Sequence, residues 1–282
     1  MLRRQNVDII SLDDVPLRLS EGPLARPFAV LTFDDGYRDN IEYAAPVLRD
    51  LGAPWTLYVV DEFANGRGSL WWLDLERAIS TSEELSVTFD DGVQKYLTRT
   101  VRQKHTAFRA IHRRLKAGPE QQLHGAMDEL RRDLGFNPEK RVREYCADWS
   151  ELRALAERHP NLTIGSHTLT HPILSRCDAR KAEAEIAGSK DVIEARLGRP
   201  VRHISFPHGD VASAGAREFR LGRESGYETA VTTQPGHISK SSTTDLWCLP
   251  RVSINGFHQT ENALKALLSG AAFLPLSVGR RS

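Results

Sequence analysis

The sequence has 282 residues, of which 40% are hydrophobic and 27% are charged, and its formal net charge is +1. A chain of this length can bury a large core, either as one α/β domain or as two smaller ones. The balanced charge gives no reason to expect nucleic acid as a partner, and no apolar run approaches the roughly 18–20 residues that span a bilayer.

The N terminus and the cysteines both bear on the cellular compartment. The start, MLRRQNVDII, lacks the apolar core and the cleavage site of a signal peptide, which predicts a cytoplasmic location. Cys146, Cys177 and Cys248 are odd in number and widely spaced, which is not the pattern of a disulfide framework or a zinc motif. We expect buried or half-buried thiols in a reducing compartment.

From residue 28 onward the apolar pattern predicts strands that alternate with helices. The predicted strands are 28–33, 54–60, 161–166, 201–206, 229–233 and 249–254, and the predicted helices are 39–52, 150–159, 178–197, 212–225 and one from Thr260. Such alternation forms parallel βαβ units, which build an open sheet or a barrel. In both architectures the functional residues lie beyond the carboxyl ends of the strands.

Residues 75–148 interrupt this alternation. Two amphipathic helices are predicted at 99–117 and 119–134, separated by Gly118-Pro119. We therefore predict one domain over residues 1–282, with an insert at 75–148 that consists of a β-hairpin and a helical hairpin. Residues 99–143 contain twelve Lys or Arg and five Asp or Glu, so this region presents either a solvated helix face or a docking surface for an anionic polymer or lipid head group.

The string Phe-Asp-Asp-Gly occurs twice, at 33–36 and at 89–92. In the second copy Asp91-Gly92 separates two β-prone runs, which predicts the turn of a hairpin. The first copy ends a predicted buried strand, where Asp34 and Asp35 would reach the functional edge of the sheet. We predict that the first copy takes part in chemistry and that the second does not.

A second motif, GSHTLTHP, places His167 and His171 after the predicted strand 161–166. Two imidazoles and one carboxylate form a set of three ligands that leaves positions open for water and substrate, as in catalytic metal sites. The other carboxylate of the Asp34-Asp35 pair is then free to act as a base. A bound cation also explains why two adjacent carboxylates are tolerated at one strand end.

These motifs together resemble the polysaccharide deacetylases of carbohydrate esterase family 4, the NodB homology domain. LTFDDGY and GSHTLTHP match the two most specific motifs of that family in the same order, and the resemblance covers about residues 28–255. It implies an α/β fold, a distorted (β/α)7-type barrel of mostly parallel strands, interrupted here by the helical-hairpin insert.

The resemblance also implies roles for individual residues. Asp34 would be the catalytic base, and Asp35, His167 and His171 would hold one divalent metal ion. Zinc suits these ligands best, and cobalt, nickel and manganese stay open. The residues expected at the substrate are Tyr37, Trp149, Pro207 and Gly209.

Two departures from the family pattern leave roles to be filled. The third motif of the family carries an Arg that orients the base, but SFPHG at 205–209 has none, and Arg251 in LPRVSI is our hypothesis for its replacement. The general-acid histidine of the family is not visible near the C terminus, so His208, His237 and His258 are considered for that role. Relatives usually have a strand before VDIISLDDV, which leaves open whether the natural chain begins upstream of Met1.

The implied function is metal-dependent removal of the acetyl group from an N-acetylated sugar or polysaccharide, with metal-bound water as the nucleophile. The expected partner is an N-acetylated glycan or glycolipid. Trp71, Trp72 and Trp149 favour a sugar because aromatic faces stack on pyranose rings, although buried tryptophans would give the same sequence. Two alternatives stay open, namely hydrolysis of a small cyclic amide or ureide on the same fold, and a glycan-binding relative without turnover.

Overall fold

The computed structural model describes residues 1–20, 26–238, 244–256, 258–270 and 273. The strands are β1 Asp8–Ile9, β2 Phe28–Ala29, β3 Thr32–Phe33, β4 Trp55–Val59, β5 Glu84–Phe89, β6 Gly92–Leu97, β7 Leu162–Ser166, β8 His203–Ser205, β9 Thr229–Pro235 and β10 Leu249–Arg251. The α-helices are α1 Val15–Ser20, α2 Ala45–Asp50, α3 Asp61–Ala64, α4 Trp71–Thr81, α5 Val101–Ala117, α6 Glu120–Leu134, α7 Pro138–Tyr145, α8 Trp149–Arg158, α9 Ala179–Leu197, α10 Ala216–Glu224 and α11 Glu261–Leu268. Turns of 3-10 helix lie at Leu2–Gln5, Leu12–Asp14 and Leu174–Arg176, and a π-helical turn lies at Asn40–Ala44.

The chain forms two compact units, and each is described here by itself. The first contains Met1–Asp61 and Trp149–Ser282, and the second contains Glu62–Asp148. The second unit begins earlier than the predicted insert at 75–148 and includes α4. Among the described residues, every helix is too short or too polar to span a bilayer.

The first unit is built on a six-stranded parallel sheet with the strand order β10-β9-β8-β7-β4-β3. Within this sheet each strand lies beside the strand that follows it in the sheet along the chain, which is the winding of a barrel rather than of a doubly wound sheet. The two edge strands approach each other, because Arg251 at the end of β10 donates hydrogen bonds to Asp34, directly after β3. The predicted α/β fold with a distorted barrel is therefore confirmed, as a curled half-barrel of six strands.

Three predicted elements have different limits in the structure. The predicted strand 28–33 is split, because Phe28–Ala29 pairs with Asp8–Ile9 in a separate two-stranded sheet whereas Thr32–Phe33 pairs with β4. The predicted helix 212–225 begins only at Ala216. Its start is delayed because the Asp210 side chain accepts the N–H of Ala212 and holds a turn before the helix. The predicted strand 249–254 ends at Arg251.

The interior of the half-barrel is apolar in the middle and polar at its amino end. Leu12, Val15, Tyr58, Val231 and Leu249 form a buried cluster inside it. Near the amino end of β8, Asp13 accepts hydrogen bonds from His203 at 2.9 Å and from Arg202 at 2.6 Å. The hydrogen bond from His203, together with the charges of His203 and Arg202, lowers the pKa of Asp13 well below its usual value. This network ties the Leu12–Asp14 turn to the sheet.

The second unit contains the second Phe-Asp-Asp-Gly string. Phe89 pairs with Gly92 in an antiparallel ladder, so Asp90 and Asp91 form the turn of a β-hairpin, and the hairpin prediction is confirmed. The Asp91 carboxylate makes an ion pair with Arg114 of α5. This copy of the motif therefore has a local structural partner inside its own unit.

Two of the arginines in the basic region 99–143 form ion pairs with a buried carboxylate inside the second unit. Asp74 is fully buried and lies 2.8 Å from Arg131 and 2.7 Å from Arg141. Two guanidinium groups thus neutralise one carboxylate beneath the surface, where an unpaired charge would be costly. Trp71 is also buried there, and its ring stacks on His112 at 4.9 Å.

Candidate active site

The site residues come from the carboxyl ends of four strands of the first unit. Asp34 and Asp35 follow β3, His167 follows β7, Ser205 ends β8 and Arg251 ends β10. Because parallel strands all end at the same edge of a sheet, residues that are far apart in sequence meet there. The predicted site residues therefore lie at one edge of the sheet, and their functional roles stay predictions.

Asp35, His167 and His171 converge on one point. Asp35 Oδ1 lies 3.4 Å from the Nε2 atoms of both histidines, and the three atoms are within 4.8 Å of one another. Two ligand atoms that each lie about 2.1 Å from a tetrahedral zinc ion are separated by about 3.4 Å. Asp35 Oδ1 is also buried and has no hydrogen-bond partner among the described residues. These three side chains fit a divalent cation.

The two histidines differ in how strongly they hold a proton. His167 Nδ1 lies 2.6 Å from the carbonyl oxygen of Ser205, so it donates its proton there and leaves the lone pair of Nε2 for a ligand. Burial lowers the pKa of His171 to about 4, which keeps its imidazole neutral near pH 7. Burial alone would also lower the pKa of His167, but the charges of Asp34 and Asp35 outweigh it and raise that pKa, so a proton competes with a cation for this residue.

Asp34 is held by Arg251 in a bidentate pair. Arg251 Nη1 donates to Asp34 Oδ1 at 2.8 Å and Nη2 donates to Oδ2 at 2.7 Å. Nη2 also donates to Ser205 Oγ at 3.1 Å, and Nε donates to the carbonyl of Thr232 at 2.8 Å. The predicted proximity of Arg251 to Asp34 is therefore confirmed, and the catalytic roles of both residues stay predictions.

The ion pair determines the charge of Asp34. Burial alone would raise the pKa of this carboxyl, but the Arg251 guanidinium and the nearby His167 and His171 lower it to about 2. Asp34 is thus ionised at any pH at which the protein would be assayed. A planar guanidinium that donates to both carboxylate oxygens also fixes the rotation of the carboxylate.

Backbone strain is concentrated at this site. Among the described non-glycine residues, five have positive φ, and four of them are Asp35, Thr168, His171 and His208, with φ between 60° and 68°. Each residue in this left-handed conformation costs on the order of 1–3 kcal/mol and persists only where its surroundings hold it. Strain of this kind is typical of sites that place side chains for chemistry.

The SFPHG segment after β8 places His208 beside His171, one of the three converging side chains. The His208 ring lies 5.0 Å from the ring of His171, centre to centre, and is half-buried. Gly209 has φ +57°, and a Cβ there would lie 2.7 Å from the backbone nitrogen of Thr233, so only glycine fits. His237 is engaged elsewhere, since its Nε2 lies 2.9 Å from the carbonyl of Leu267. Of the histidines considered for the general acid, His208 is the one with a described ring contact to the site.

The remaining predicted substrate residues differ in accessibility. Tyr37 and Pro207 follow β3 and β8 at the site edge, where Tyr37 is half-buried and Pro207 is buried. Trp149 is only 7% exposed, and its ring packs beneath the guanidinium of Arg196. Trp149 and Trp71 are therefore buried rings, so they do not support the argument that aromatic faces favour a sugar. The substrate-binding roles stay predictions.

Two contributors to the site were missed in the sequence. The backbone carbonyl of Ser205 orients His167, and a backbone acceptor leaves no side-chain signal. Glu185 of α9 is buried and accepts hydrogen bonds from the loop between the two histidines. A signal for Glu185 was present, because it lies on the buried stripe of α9 formed with Ala182, Ile186, Ser189 and Ile193. A carboxylate on such a stripe needs a polar partner.

Comparison with known proteins supplies a family for these motifs. The family model described as polysaccharide deacetylase matches residues 21–79 and 131–228, which include both the Asp34-Asp35 and the His167–His171 motifs. The matched residues make up more than half of the chain.

Several solved structures are similar to this chain. The deacetylase PplD of Streptococcus pyogenes, in complex with acetate, is 16% identical, with a TM-score of 0.58 over 94% of this chain and 82% of that protein chain. IcaB of Ammonifex degensii is 14% identical, with a TM-score of 0.57 over 94% and 84%. The BpsB deacetylase domain of Bordetella bronchiseptica is 15% identical, with a TM-score of 0.55 over 89% and 80%. At these identities the comparison shows a shared fold.

Proposed function

This chain belongs to the polysaccharide deacetylase family, and from that membership we propose that it is a metal-dependent hydrolase that removes acetyl groups from an N-acetylated glycan. The observation that carries this proposal is the arrangement of an ionised, oriented Asp34 beside the three converging side chains of Asp35, His167 and His171. A glycan-binding protein without turnover would not need the strained backbone and the carboxylate pair at this position, which both cost free energy.

Asp35, His167 and His171 would hold the cation, which is most simply zinc because two imidazoles and a carboxylate suit that metal. A divalent ion held there supplies Lewis acidity that lowers the pKa of a water molecule towards about 7. The chain contributes the orientation of its ligands, since the Ser205 carbonyl fixes the tautomer of His167.

Asp34 acts as the base in this proposal. Its carboxylate takes a proton from the attacking water as the water oxygen bonds to the acetyl carbon. With a pKa of about 2, Asp34 is a weak base, so it would need a water molecule more acidic than bulk water, which a divalent ion held by Asp35, His167 and His171 would supply. Arg251 keeps the carboxylate charged and in one orientation, which lowers the entropy cost of reaching a reactive geometry.

His208 is the proposed proton donor for the leaving nitrogen. Once the bond between the acetyl carbon and the nitrogen breaks, the amine needs one proton, and acetate departs. His208 is half-buried beside His171, so it lies at the boundary between the site and solvent from which its proton can be restored. Tyr37, Pro207 and Gly209 follow the ends of neighbouring strands and are the proposed contacts of the sugar.

The decisive experiment measures two products from two substrate classes. Zinc-loaded protein is incubated with N-acetylglucosamine oligomers and, separately, with small cyclic ureides, and the release of acetate and the formation of ring-opened ureide are followed. We expect acetate from the oligomers and no turnover of the ureides. Ureide opening without acetate release would instead support the cyclic-amide hydrolase, and binding of the oligomers without any turnover would support the glycan-binding alternative.

A matched pair of variants separates site chemistry from contamination. Asp34→Asn alters the first Phe-Asp-Asp-Gly string, and Asp90→Asn makes the same change in the second, which is a hairpin turn. Acetate release that survives Asp34→Asn at the wild-type rate would not come from the proposed site.

A further inference from the structure

Helix α9 contacts the loop that connects His167 and His171 through a buried carboxylate. Glu185 is 5% exposed, and its Oε2 accepts the backbone N–H groups of Leu169 and Thr170, each at 2.9 Å. Its Oε1 accepts the hydroxyl of Thr170 at 2.7 Å. All three donors lie between the two histidines, so this single carboxylate binds the middle of the loop.

The backbone of this loop is strained at both ends, so contacts from outside the loop must stabilise its conformation. Thr168 has φ 68° and His171 has φ 60°, and the left-handed conformation is particularly unfavourable for a β-branched residue such as threonine. Inside the loop, the Thr168 hydroxyl accepts the N–H of His171 at 3.1 Å. Strained residues relax unless the surrounding contacts over-determine their conformation. Relaxation here would move the His171 ring away from Asp35.

A second residue of α9 holds the start of the same loop. Ser189, one turn beyond Glu185, lies 2.6 Å from Ser166 Oγ, and that oxygen accepts the N–H of Thr168 at 3.2 Å. The hydrogen bonds of Ser189 and Glu185 therefore fix the loop at two successive points. The rigid element behind the two histidines is thus the buried face of α9.

We propose that Glu185 is a positioning residue, which holds the Leu169-Thr170 backbone so that His167 and His171 keep one shared focus with Asp35. The inference rests on the proposed metal-dependent function. It deepens that function because it assigns the preorganisation of the ligand set to a residue that touches neither metal nor substrate. Outer contacts of this kind change metal affinity by about 10- to 100-fold when they are removed.

The chemistry of the contact indicates which substitution is informative. A carboxylate has two acceptor oxygens, whereas the amide of glutamine has one acceptor and one donor group. In Glu185→Gln, the amide oxygen can still accept the two backbone N–H groups, but only as a neutral acceptor, and the NH₂ group faces the Thr170 hydroxyl, which must turn to accept from it. The shape of the side chain is kept while the charge-assisted hydrogen bonds to the loop are weakened.

Glu194 supplies a matched control on the same helix. Its Oε1 accepts the backbone N–H of Val201 at 2.9 Å and lies 3.5 Å from Lys190. Glu194→Gln therefore removes the same charge and disturbs the same kind of hydrogen bond, but outside the histidine loop. Both variants are prepared as the full chain.

Two readouts test the proposal. The first is the dissociation constant for Co²⁺, measured against a competing chelator, together with the visible absorption spectrum of bound Co²⁺. The second is amide hydrogen exchange over residues 167–171 without metal. In Glu185→Gln we expect Co²⁺ affinity to fall by about 10- to 100-fold, with a changed spectrum and faster exchange. Glu194→Gln should match the wild type in both, even if its melting temperature falls.

Wild-type affinity, spectrum and exchange in folded Glu185→Gln would overturn the proposal. If that variant does not fold, Thr170→Val removes one of the three hydrogen bonds and should weaken Co²⁺ binding in the same direction, and unchanged binding overturns the proposal there too. If the wild type itself binds no Co²⁺, the proposed metal-dependent function fails. Hydrogen exchange then decides separately, because loop exchange that is no faster in Glu185→Gln than in Glu194→Gln refutes the positioning role.

Discussion

Arg251→Ala should convert Asp34 from a carboxyl that stays ionised throughout the assay range into one that titrates within it. The pKa of Asp34 is about 2 although burial acts to raise it above the ordinary value of 3.8. A difference of about two pKa units corresponds to roughly 2–3 kcal/mol of net stabilisation of the charged form. Removal of Arg251 withdraws the largest favourable contribution and leaves burial in place, so the pKa should rise to the ordinary value or beyond it.

The direction of the effect on activity follows from the role of the base. Asp34 must be ionised to take a proton, so activity is full above its pKa and is lost as the pH falls through it. In the wild type this loss lies below the range in which the protein is assayed. In Arg251→Ala the acid limb that belongs to Asp34 should lie at a higher pH in the profile of kcat/KM against pH than it does in the wild type.

Arg251→Lys separates charge from orientation. Lysine keeps the positive charge but donates as a point charge and cannot hold both carboxylate oxygens in a planar grip. We expect its pH profile to resemble that of the wild type while kcat falls at neutral pH. The loss is bounded by the contribution of a general base, about 10²–10⁴-fold. Acetate release from N-acetylglucosamine oligomers is the assay for both variants.

Arg217→Ala is the control for loss of a structural arginine. Arg217 pairs with the buried Glu218 at 2.6 Å and donates to the carbonyl of Cys177 at 2.9 Å. Its removal should lower the melting temperature without moving the pH profile. Full activity and an unmoved profile in folded Arg251→Ala would refute the orienting role. If Arg251→Ala does not fold, wild-type kcat in Arg251→Lys would refute it instead.

Three further predictions concern the second Phe-Asp-Asp-Gly string, the metal and the amino end of the barrel. Asp34→Asn should lose about 10²–10⁴-fold of the rate, whereas Asp90→Asn and Asp91→Asn should keep it; equal losses would mean that the wrong copy was chosen. Removal of metal with a chelator should abolish acetate release and Zn²⁺ should restore it, and activity that persists in the metal-free protein would contradict metal dependence. Asp13→Asn should lower the free energy of unfolding by about 1–3 kcal/mol at neutral pH, measured by urea denaturation, because a hydrogen bond from His203 to a charged acceptor is lost. Since the folded-state pKa of Asp13 is depressed, this difference should be full above about pH 4 and shrink as the pH falls further, and a difference that stays constant in acid would contradict the assignment.

The alternation of strands and helices predicted an open sheet or a barrel, and the family resemblance implied the barrel and proposed Asp35, His167 and His171 as metal ligands. Regular elements with a strong apolar pattern have nearly the predicted limits, as in β4 Trp55–Val59, β7 Leu162–Ser166 and α9 Ala179–Leu197. The Asp34-Asp35 pair could be grouped with His167 and His171 because parallel strands end at one edge of a sheet, and the choice of Asp35 as the ligand came from the family resemblance. The second Phe-Asp-Asp-Gly string could be assigned to a turn because hairpin formation is local, and the deciding residues are neighbours in the chain.

Tertiary structure decided the features that depend on contacts between distant residues. The predicted strand 28–33 is split because its first part pairs with Asp8–Ile9 and its last part pairs with β4. The apolar pattern of the sequence does not indicate which strand each part pairs with. Trp149 is 7% exposed, and its ring contacts Arg196 of another helix, which lies far from it in the sequence. His167 is oriented by the backbone carbonyl of Ser205. Every residue type has this carbonyl, so the sequence could not predict this hydrogen bond. The hydrogen bonds from the Leu169-Thr170 backbone to Glu185 were likewise visible only in the tertiary structure. A carboxylate on a buried stripe indicates that a hydrogen-bond donor must lie nearby, but the sequence does not indicate which loop supplies it.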